Sequence, residues 1–341
     1  MRGTRAAAAM LLAAMMIHTL ALPAHMAEDI QAQPAVLLVF DANGGKIGKK
    51  TAVTVKNMVG RPIETAKDPA REKYWFKGWY TKKKGGSKLA PDTEAPAEAR
   101  TYYAQWKRPD FYIKKNASRY KAYQKANPRV PYETALAYVN SRVDRAFYAN
   151  PKQIKNDSDI LAMPTQNFRL SKNYAPPGLK AISGGGYLRR EAAKKFNAMR
   201  SRMASEGLTV YPVSAYRSYG TQVYTYNKRV SAYGVRRADT MSARPGHSEH
   251  QTGLAVDILQ VSYIAPLSRA NFQQTKQYKW LCKNAHKYGF ILRYPKGYEH
   301  VTGYIYEPWH WRYIGVKAAS KMKKEGIATF EEYCGRYRPG N

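Results

Sequence analysis

At 341 residues the chain has room for about two domains and a buried core, so it needs neither disulfides nor metals merely to hold together. Its two cysteines are too few for a disulfide scaffold; Cys282 and Cys334 can pair only if the fold joins them in an oxidising compartment. The formal net charge of +33 attracts polyanions, but the basic residues are spread along the whole chain, which argues against the single stripe of a specific nucleic-acid binder.

Residues 1–27 read as a secretory signal. Arg2 and Arg5 form a basic start, Ala6 to Leu22 is apolar apart from one His, and Ala24 and Ala27 offer small residues for cleavage. The apolar run is near the lower limit for spanning a bilayer, and no Cys follows it to carry a lipid. Cleavage removes Arg2 and Arg5 and no acid, which lowers the charge from +33 to +31. The protein is therefore expected outside the cytoplasm, at the cell wall, held by anionic envelope polymers and peripheral to the membrane at most.

Residues 36–107 form a β-rich stretch distinct from the remainder of the chain. Val36-Leu37-Leu38-Val39-Phe40 is strand-like, and Asp41-Ala42-Asn43-Gly44-Gly45 suits a hairpin turn. A second strand is expected at 51–55, a third around Trp75-Phe76-Lys77-Gly78-Trp79-Tyr80, and a fourth at 101–106. Phe76, Trp79, Tyr103 and Trp106 would supply the core of a very small domain. This stretch resembles the Listeria-Bacteroides repeat of bacterial surface proteins: an F-D-A-N-G-G opening, a W-F-K-G-W-Y centre before Gly85-Gly86, and a Y-Y-A-Q-W close. The resemblance implies a β-grasp-like fold and a spacer or adhesion module.

Residues 108–132, basic and Tyr-rich and closed by Pro128 and Pro131, read as a linker to a domain at 133–341. Leu136, Val139, Val143 and Phe147 have helical spacing over 132–148, and the prolines of 150–183 predict extended chain. A helix over 191–204 precedes a strand at 208–214, and a helix over 219–233 leads to a loop at 246–252. A strand at 253–259, a helix over 276–288, strands at 290–294 and 309–314, and a helix over 317–324 complete the domain, with a short turn at 330–333. Strands alternating with separated helices indicate α+β with a mainly antiparallel sheet.

Two stretches carry chemistry: Ser248-Glu249-His250-Gln251-Thr252-Gly253-Leu254-Ala255-Val256-Asp257 and Glu307-Pro308-Trp309-His310. A catalytic zinc takes three protein ligands and keeps one position open, and imidazole with carboxylate is a common set. His250 on a loop, Asp257 near the end of the next strand and His310 on a neighbouring strand can supply it. Glu307, three residues before His310, is placed to act on a water as general base and acid.

Ser-x-His-x-x-Gly-x-Ala-x-Asp followed by Glu-Pro-Trp-His resembles the signature of the VanY-type D-alanyl-D-alanine carboxypeptidases, peptidase family M15, in the LAS group of zinc peptidases. The resemblance runs from about Tyr187 to Gly315. It implies that His250, Asp257 and His310 bind Zn2+, that Glu307 is catalytic, and that the substrate is a peptidoglycan stem peptide losing its terminal D-alanine. Ser214-Ala215-Tyr216-Arg217-Ser218-Tyr219-Gly220-Thr221-Gln222 looks like a second family segment. By that match Arg217 is catalytic, its fork of donors facing an oxyanion or a substrate carboxylate, and Ser218, Gln222 and Ser248 contact substrate. Relatives of the group also cut L,D bonds or act as endopeptidases. A reading of another class is a wall-binding or adhesion protein with a structural zinc site, although Glu307 beside an open coordination position speaks for catalysis.

Overall fold

In the first strand, apolar side chains alternate between two faces: Val36, Leu38 and Phe40 are buried while Leu37 is 56% exposed. This strand, β1 (Ala35–Asp41), belongs to a computed structural model that describes residues 34–262 and 271–338, so the expected leader lies outside the described residues. The chain divides into two compact units, one ending at Trp106 and the other continuing from Lys107, with Arg71–Trp75 counted in the second.

The first unit is one sheet of order β2-β1-β4-β3, from β2 (Ala52–Met58), β3 (Trp75–Tyr80) and β4 (Arg100–Lys107). β1 pairs antiparallel with β2, Asp41 lying opposite Ala52 across the connection 42–51, and parallel with β4, an order that suits the expected β-grasp-like fold. Asp41 Oδ1 accepts the Asn43 N–H at 2.7 Å, and Asn43 Nδ2 donates to the Ala104 carbonyl at 2.9 Å. Phe40 packs edge-on to Trp79 and stacks on Tyr102. The inward set on β4 is Tyr102 and Ala104, one residue out of phase with the expected Tyr103; a single-residue slip in a period of two exchanges the faces. Phe76 and Trp106 are partly buried at the edge of this core.

In the second unit, residues 108–132 are more structured than a linker. Helix α1 (Ala117–Ala126) is anchored by the buried Tyr120, whose hydroxyl donates to Asn140 Oδ1 at 2.6 Å and accepts the Ile113 N–H at 3.1 Å. The tyrosines that read as linker polarity provide a small core with Phe111, Leu136 and Val139. Helix α2 (Tyr132–Asn140) stops earlier than expected: Arg142 has φ 64, and Phe147 is 40% exposed rather than on a buried face.

The main core forms where α3 (Arg190–Ser205) lays Ala192, Phe196, Met199 and Met203 on a four-stranded sheet. The sheet order is β11-β12-β10-β9 among the unit's strands, numbered after four short ones, β5 (Lys152–Gln153), β6 (Phe168–Arg169), β7 (Leu179–Ala181) and β8 (Tyr187–Arg189). Its members are β9 (Tyr211–Ser214), β10 (Ala255–Leu259), β11 (Phe290–Leu292) and β12 (His310–Tyr313), all paired antiparallel. Helix α4 (Tyr219–Met241) runs past its expected end and breaks its helical geometry at Gly234, φ 73.

Two more helices, α5 (Lys276–Asn284) and α6 (Glu299–Thr302), flank the strands, and α7 (Val316–Glu325) precedes α8 (Phe330–Tyr337). The expected 330–333 turn is the first part of α8, capped where Thr329 Oγ1 accepts the Glu332 N–H. A Cβ at Gly335 would meet the Ala137 carbonyl oxygen at 1.9 Å, so glycine lets α8 approach α2 closely. Cys282 is exposed, Cys334 is buried, and the two are not bonded to each other.

Candidate metal centre and substrate cavity

Register brings the site together before any side chain is considered. Asp257 on β10 lies opposite His310 on β12 and opposite Ser214 on β9, so three neighbouring strands meet at one rung. Residues directly opposite in an antiparallel pair have side chains close enough to share a ligand. The sheet pairing shifts between Asp257 and Ile258, an irregularity of the kind that re-aims a side chain beside a site.

His250 enters from the loop before β10. A short 3-10 turn, Glu249–Thr252, is closed by Gly253 in the left-handed region, φ 65, and every residue of the turn is buried. Thr252 Oγ1 donates to the Glu249 carbonyl and accepts the Leu254 N–H, so the turn is fastened at both ends.

The donor set fits a divalent metal of zinc type. One ligand atom each from His250, Asp257 and His310 lies within 4.8 Å of the others, and all three residues are buried. Asp257 Oδ1 is 3.5 Å from His250 Nε2 and 3.2 Å from His310 Nδ1. For His250 the far side of the ring fixes the tautomer. His250 Nδ1 is 2.6 Å from the Ala215 carbonyl, to which it can only donate, and His310 Nε2 faces Glu249 Oε2 at 3.4 Å. His250 thereby keeps its Nε2 lone pair aimed at the common point, to which His310 turns its Nδ1, and this is how metal-binding histidines are oriented.

Charge at the centre follows from burial and neighbours. Burial and the Arg217 guanidinium push His250 down to about 4. Burial also opposes charge on His310, but hydrogen bonds to Asp257 and Glu249 carry it up to about 9. Burial alone would raise Asp257; the two imidazoles outweigh it and hold the carboxyl well below its usual range.

Glu307 stands 3.6 Å from His310 Nδ1 through Oε2. Its placement is local: His310 N–H donates to the Glu307 carbonyl at 3.1 Å, a tight turn across Pro308 that folds the two side chains together. Glu307 N–H donates in turn to the Tyr294 carbonyl.

A cavity of about 460 Å³ opens over these residues and is also lined by Arg217, Gln222 and Ser248. Arg217 Nη1 donates to Gln222 Oε1 at 2.8 Å and Nη2 to Ser214 Oγ at 3.2 Å. Gln222, buried, donates from Nε2 to the Ala243 carbonyl at 2.6 Å and towards Ser242 Oγ at 3.4 Å, so both ends of its amide are engaged. Ser218 does not line the cavity: it caps α4, its hydroxyl accepting the Thr221 N–H.

Nothing in the sequence singles out Glu249, yet it lies at the centre of a buried ionic network. Its Oε1 accepts from Arg293 Nε at 2.8 Å and from Arg312 Nη1 at 2.9 Å, while Arg293 also makes a two-point bridge to Glu331. Burial opposes its charge, but Arg293 and Arg312 outweigh it and hold the carboxyl far below its ordinary value. The one signal the sequence offers is an acid immediately before the first candidate ligand, with no exposed role to explain it.

Comparison with known proteins agrees with this geometry. The profile of the family described as D-alanyl-D-alanine carboxypeptidase (VanY) matches residues 185–316, and that of the Listeria-Bacteroides repeat domain matches residues 37–105. YodJ of Bacillus subtilis (strain 168), whose name assigns it provisionally to the carboxypeptidases, is 42% identical over 189 residues, covering 53% of this chain and 68% of its own length. A D-alanyl-D-alanine carboxypeptidase of Enterococcus faecalis (strain ATCC 700802 / V583) is 37% identical over 135 residues, 36% of this chain and 47% of that protein. The solved LdcB LD-carboxypeptidase, whose structure is described as revealing the molecular basis of peptidoglycan recognition, aligns with TM-score 0.50 and 39% identity over 55% of this chain and 90% of its own. With two thirds of YodJ covered at that identity, and with the strands of Asp257 and His310 inside the matched segment, the chain belongs to the VanY family of D-alanyl-D-alanine carboxypeptidases, a group of zinc metallopeptidases.

Proposed function

We propose that the protein is an exported, zinc-dependent D-alanyl-D-alanine carboxypeptidase that removes the terminal D-alanine from peptidoglycan stem peptides. The observation that carries this reading is the convergence of His250, Asp257 and His310 within 4.8 Å, with Glu307 against His310 and Arg217 in the same cavity.

His250, Asp257 and His310 would hold the zinc. When bound there, zinc supplies Lewis-acid polarisation of the scissile carbonyl and makes water acidic near neutral pH. Glu307 takes the proton of the attacking water and delivers it to the amine nitrogen of the leaving D-alanine. Arg217, held by Gln222 and Ser214, presents its donors to the negative charge that develops on the carbonyl oxygen. Ser248 offers a hydroxyl to the peptide from the loop side of the cavity.

A second reading, cleavage of an L,D bond, is favoured by the 39% identity to the LD-carboxypeptidase. Both rest on the same centre and differ in the residue the cavity accepts. Zinc-loaded protein incubated with a pentapeptide stem and a tetrapeptide stem, with mass detection of released alanine, separates them. Loss of the fifth residue supports D,D, loss of only the fourth supports L,D, and cleavage of neither sinks the enzymatic reading. Glu307→Gln is expected to lose at least 100-fold in turnover while retaining zinc; near-normal activity would remove Glu307 from its role.

Export is supported by the basic and apolar stretch at residues 1–27 and by the surface-protein repeat. Among the described residues no helix is long and apolar enough to cross a membrane. The net charge supports anionic wall polymers as the retaining partner.

A further inference from the structure

We propose that Arg229 is the residue that recognises the free C-terminal carboxylate of the substrate, and so makes this centre an exopeptidase rather than an endopeptidase. The inference rests on the carboxypeptidase reading above and names the group behind its end-specificity.

A terminal carboxylate is acceptor-only and needs donors within a cavity partly closed to water. The side chains expected to provide them are occupied. Ser218 caps α4 outside the cavity, and both ends of the Gln222 amide are bonded within the protein. Arg217 is held beside the centre, its backbone N–H donating to the His250 carbonyl at 3.1 Å and its Nη2 to Ser214 Oγ on the rung of Asp257, which sets its charge by the reacting carbonyl rather than beyond it. Ser248 offers one hydroxyl and no charge.

Among the described lining residues, the remaining side chain with a permanent positive charge is Arg229. It shares a face of α4 with Gln222 and Thr225, at steps of three and four residues, and all three line the cavity. Seven residues of helix rise about 10 Å, and a helical side chain leans back towards the N-terminus, so an arginine guanidinium covers the turn before its own Cα. An arginine at this position therefore reaches back along the helix in the direction of Gln222 and the Arg217 it holds. The terminal carboxylate of a peptide lies about 4 Å beyond the scissile carbonyl carbon, one residue's length along the chain.

Nor is Arg229 paired off by the acids of the cavity. Those lining it are Glu249, Asp257 and Glu307, each set against His310, and Glu249 is further bound by Arg293 and Arg312. Arg229 is partly buried, so a carboxylate bridging it is only partly screened, and an arginine fork suits a carboxylate in two-point contact.

The test uses the full-length zinc-loaded protein and two peptides ending in D-Ala-D-Ala, one with a free carboxylate and one with a C-terminal amide. Wild type is expected to prefer the acid by about tenfold or more in kcat/KM. Arg229→Ala should bring that ratio close to one, chiefly by raising KM for the acid; Arg229→Lys should recover part of it. Arg229→Glu should favour the amide. Calorimetric binding of both peptides to Glu307→Gln, with and without Arg229→Ala, repeats the comparison without turnover, and zinc content and melting profiles establish that each variant is folded. An undiminished acid preference in Arg229→Ala overturns the assignment and leaves the carboxypeptidase reading standing. Failure of wild type to cleave either peptide overturns that reading and this inference with it.

Discussion

Glu249 shows how one buried carboxylate can serve two demands. One oxygen joins two arginines and the other faces the imidazole of His310, a proposed metal ligand, at 0% side-chain exposure. Removing one partner of a buried ionic group leaves the others uncompensated, which commonly costs about 3–5 kcal/mol. Glu249→Ala is therefore expected to be poorly folded, and Glu249→Gln is the informative variant, since it keeps the shape and removes the charge. It should weaken zinc binding by roughly 10–100-fold, because the His310 ring loses the carboxylate charge that stands behind it. Competition against a chelator of known affinity measures this. Unchanged zinc affinity in a well-folded Glu249→Gln would show that the 3.4 Å approach to His310 has no positioning effect.

At the scale of elements, the turn that carries His250 depends on a glycine. Gly253 has φ 65, and a Cβ there would stand 3.0 to 3.2 Å from side chains of Leu179, Pro176 and Arg189. Gly253→Ala combines a left-handed backbone penalty of about 1–2 kcal/mol with crowding against the chain that wraps the turn. The expected result is a lower melting midpoint together with faster zinc loss, because Glu249 and His250 sit in the same turn. A lower midpoint with normal zinc retention would show that the turn is not what holds the ligand.

The elements also explain what the sequence revealed. The convergence of His250, Asp257, His310 and Glu307 is legible because ligand chemistry restricts residue type and the two stretches that carry them resemble one motif. The strand register that opposes Asp257 to His310 and Ser214 follows from apolar runs at 253–259 and 309–314. The Arg293–Glu249–Arg312 network was not legible, since its members lie 44 and 63 residues apart and a buried charge looks like a surface one until its partner is known. Helix α1 was hidden for a related reason: tyrosine serves both as exposed polarity and as a core residue, and Tyr120 is assigned to the core only by its bond to Asn140. On β4 the run Tyr102-Tyr103 offers two aromatics in succession, and alternation cannot decide which faces inward.

For the whole molecule, the distinctive property is charge, and its consequence can be separated from catalysis. A net charge of +33 for the full chain would give long-range attraction to the polyanionic wall proposed as its partner, whereas events inside the cavity occur at contact distance. Exposed charges are screened beyond about 10 Å at 0.1 M salt and about 3 Å at 1 M, so the two activities should respond differently to ionic strength. Binding to cell walls bearing anionic polymers is expected to be strong at about 50 mM salt and to fall by about tenfold or more at about 500 mM, in the manner of polyelectrolyte association. Hydrolysis of a short peptide with neutral side chains should change far less, with any loss confined to KM, through the proposed attraction of the terminal carboxylate to arginine. Sedimentation of the protein with intact walls, and with walls stripped of their anionic polymers, measures the first; the alanine-release assay measures the second. If binding to stripped walls equals binding to intact ones and neither depends on salt, retention does not arise from the charge and belongs to specific contacts such as those of the repeat module.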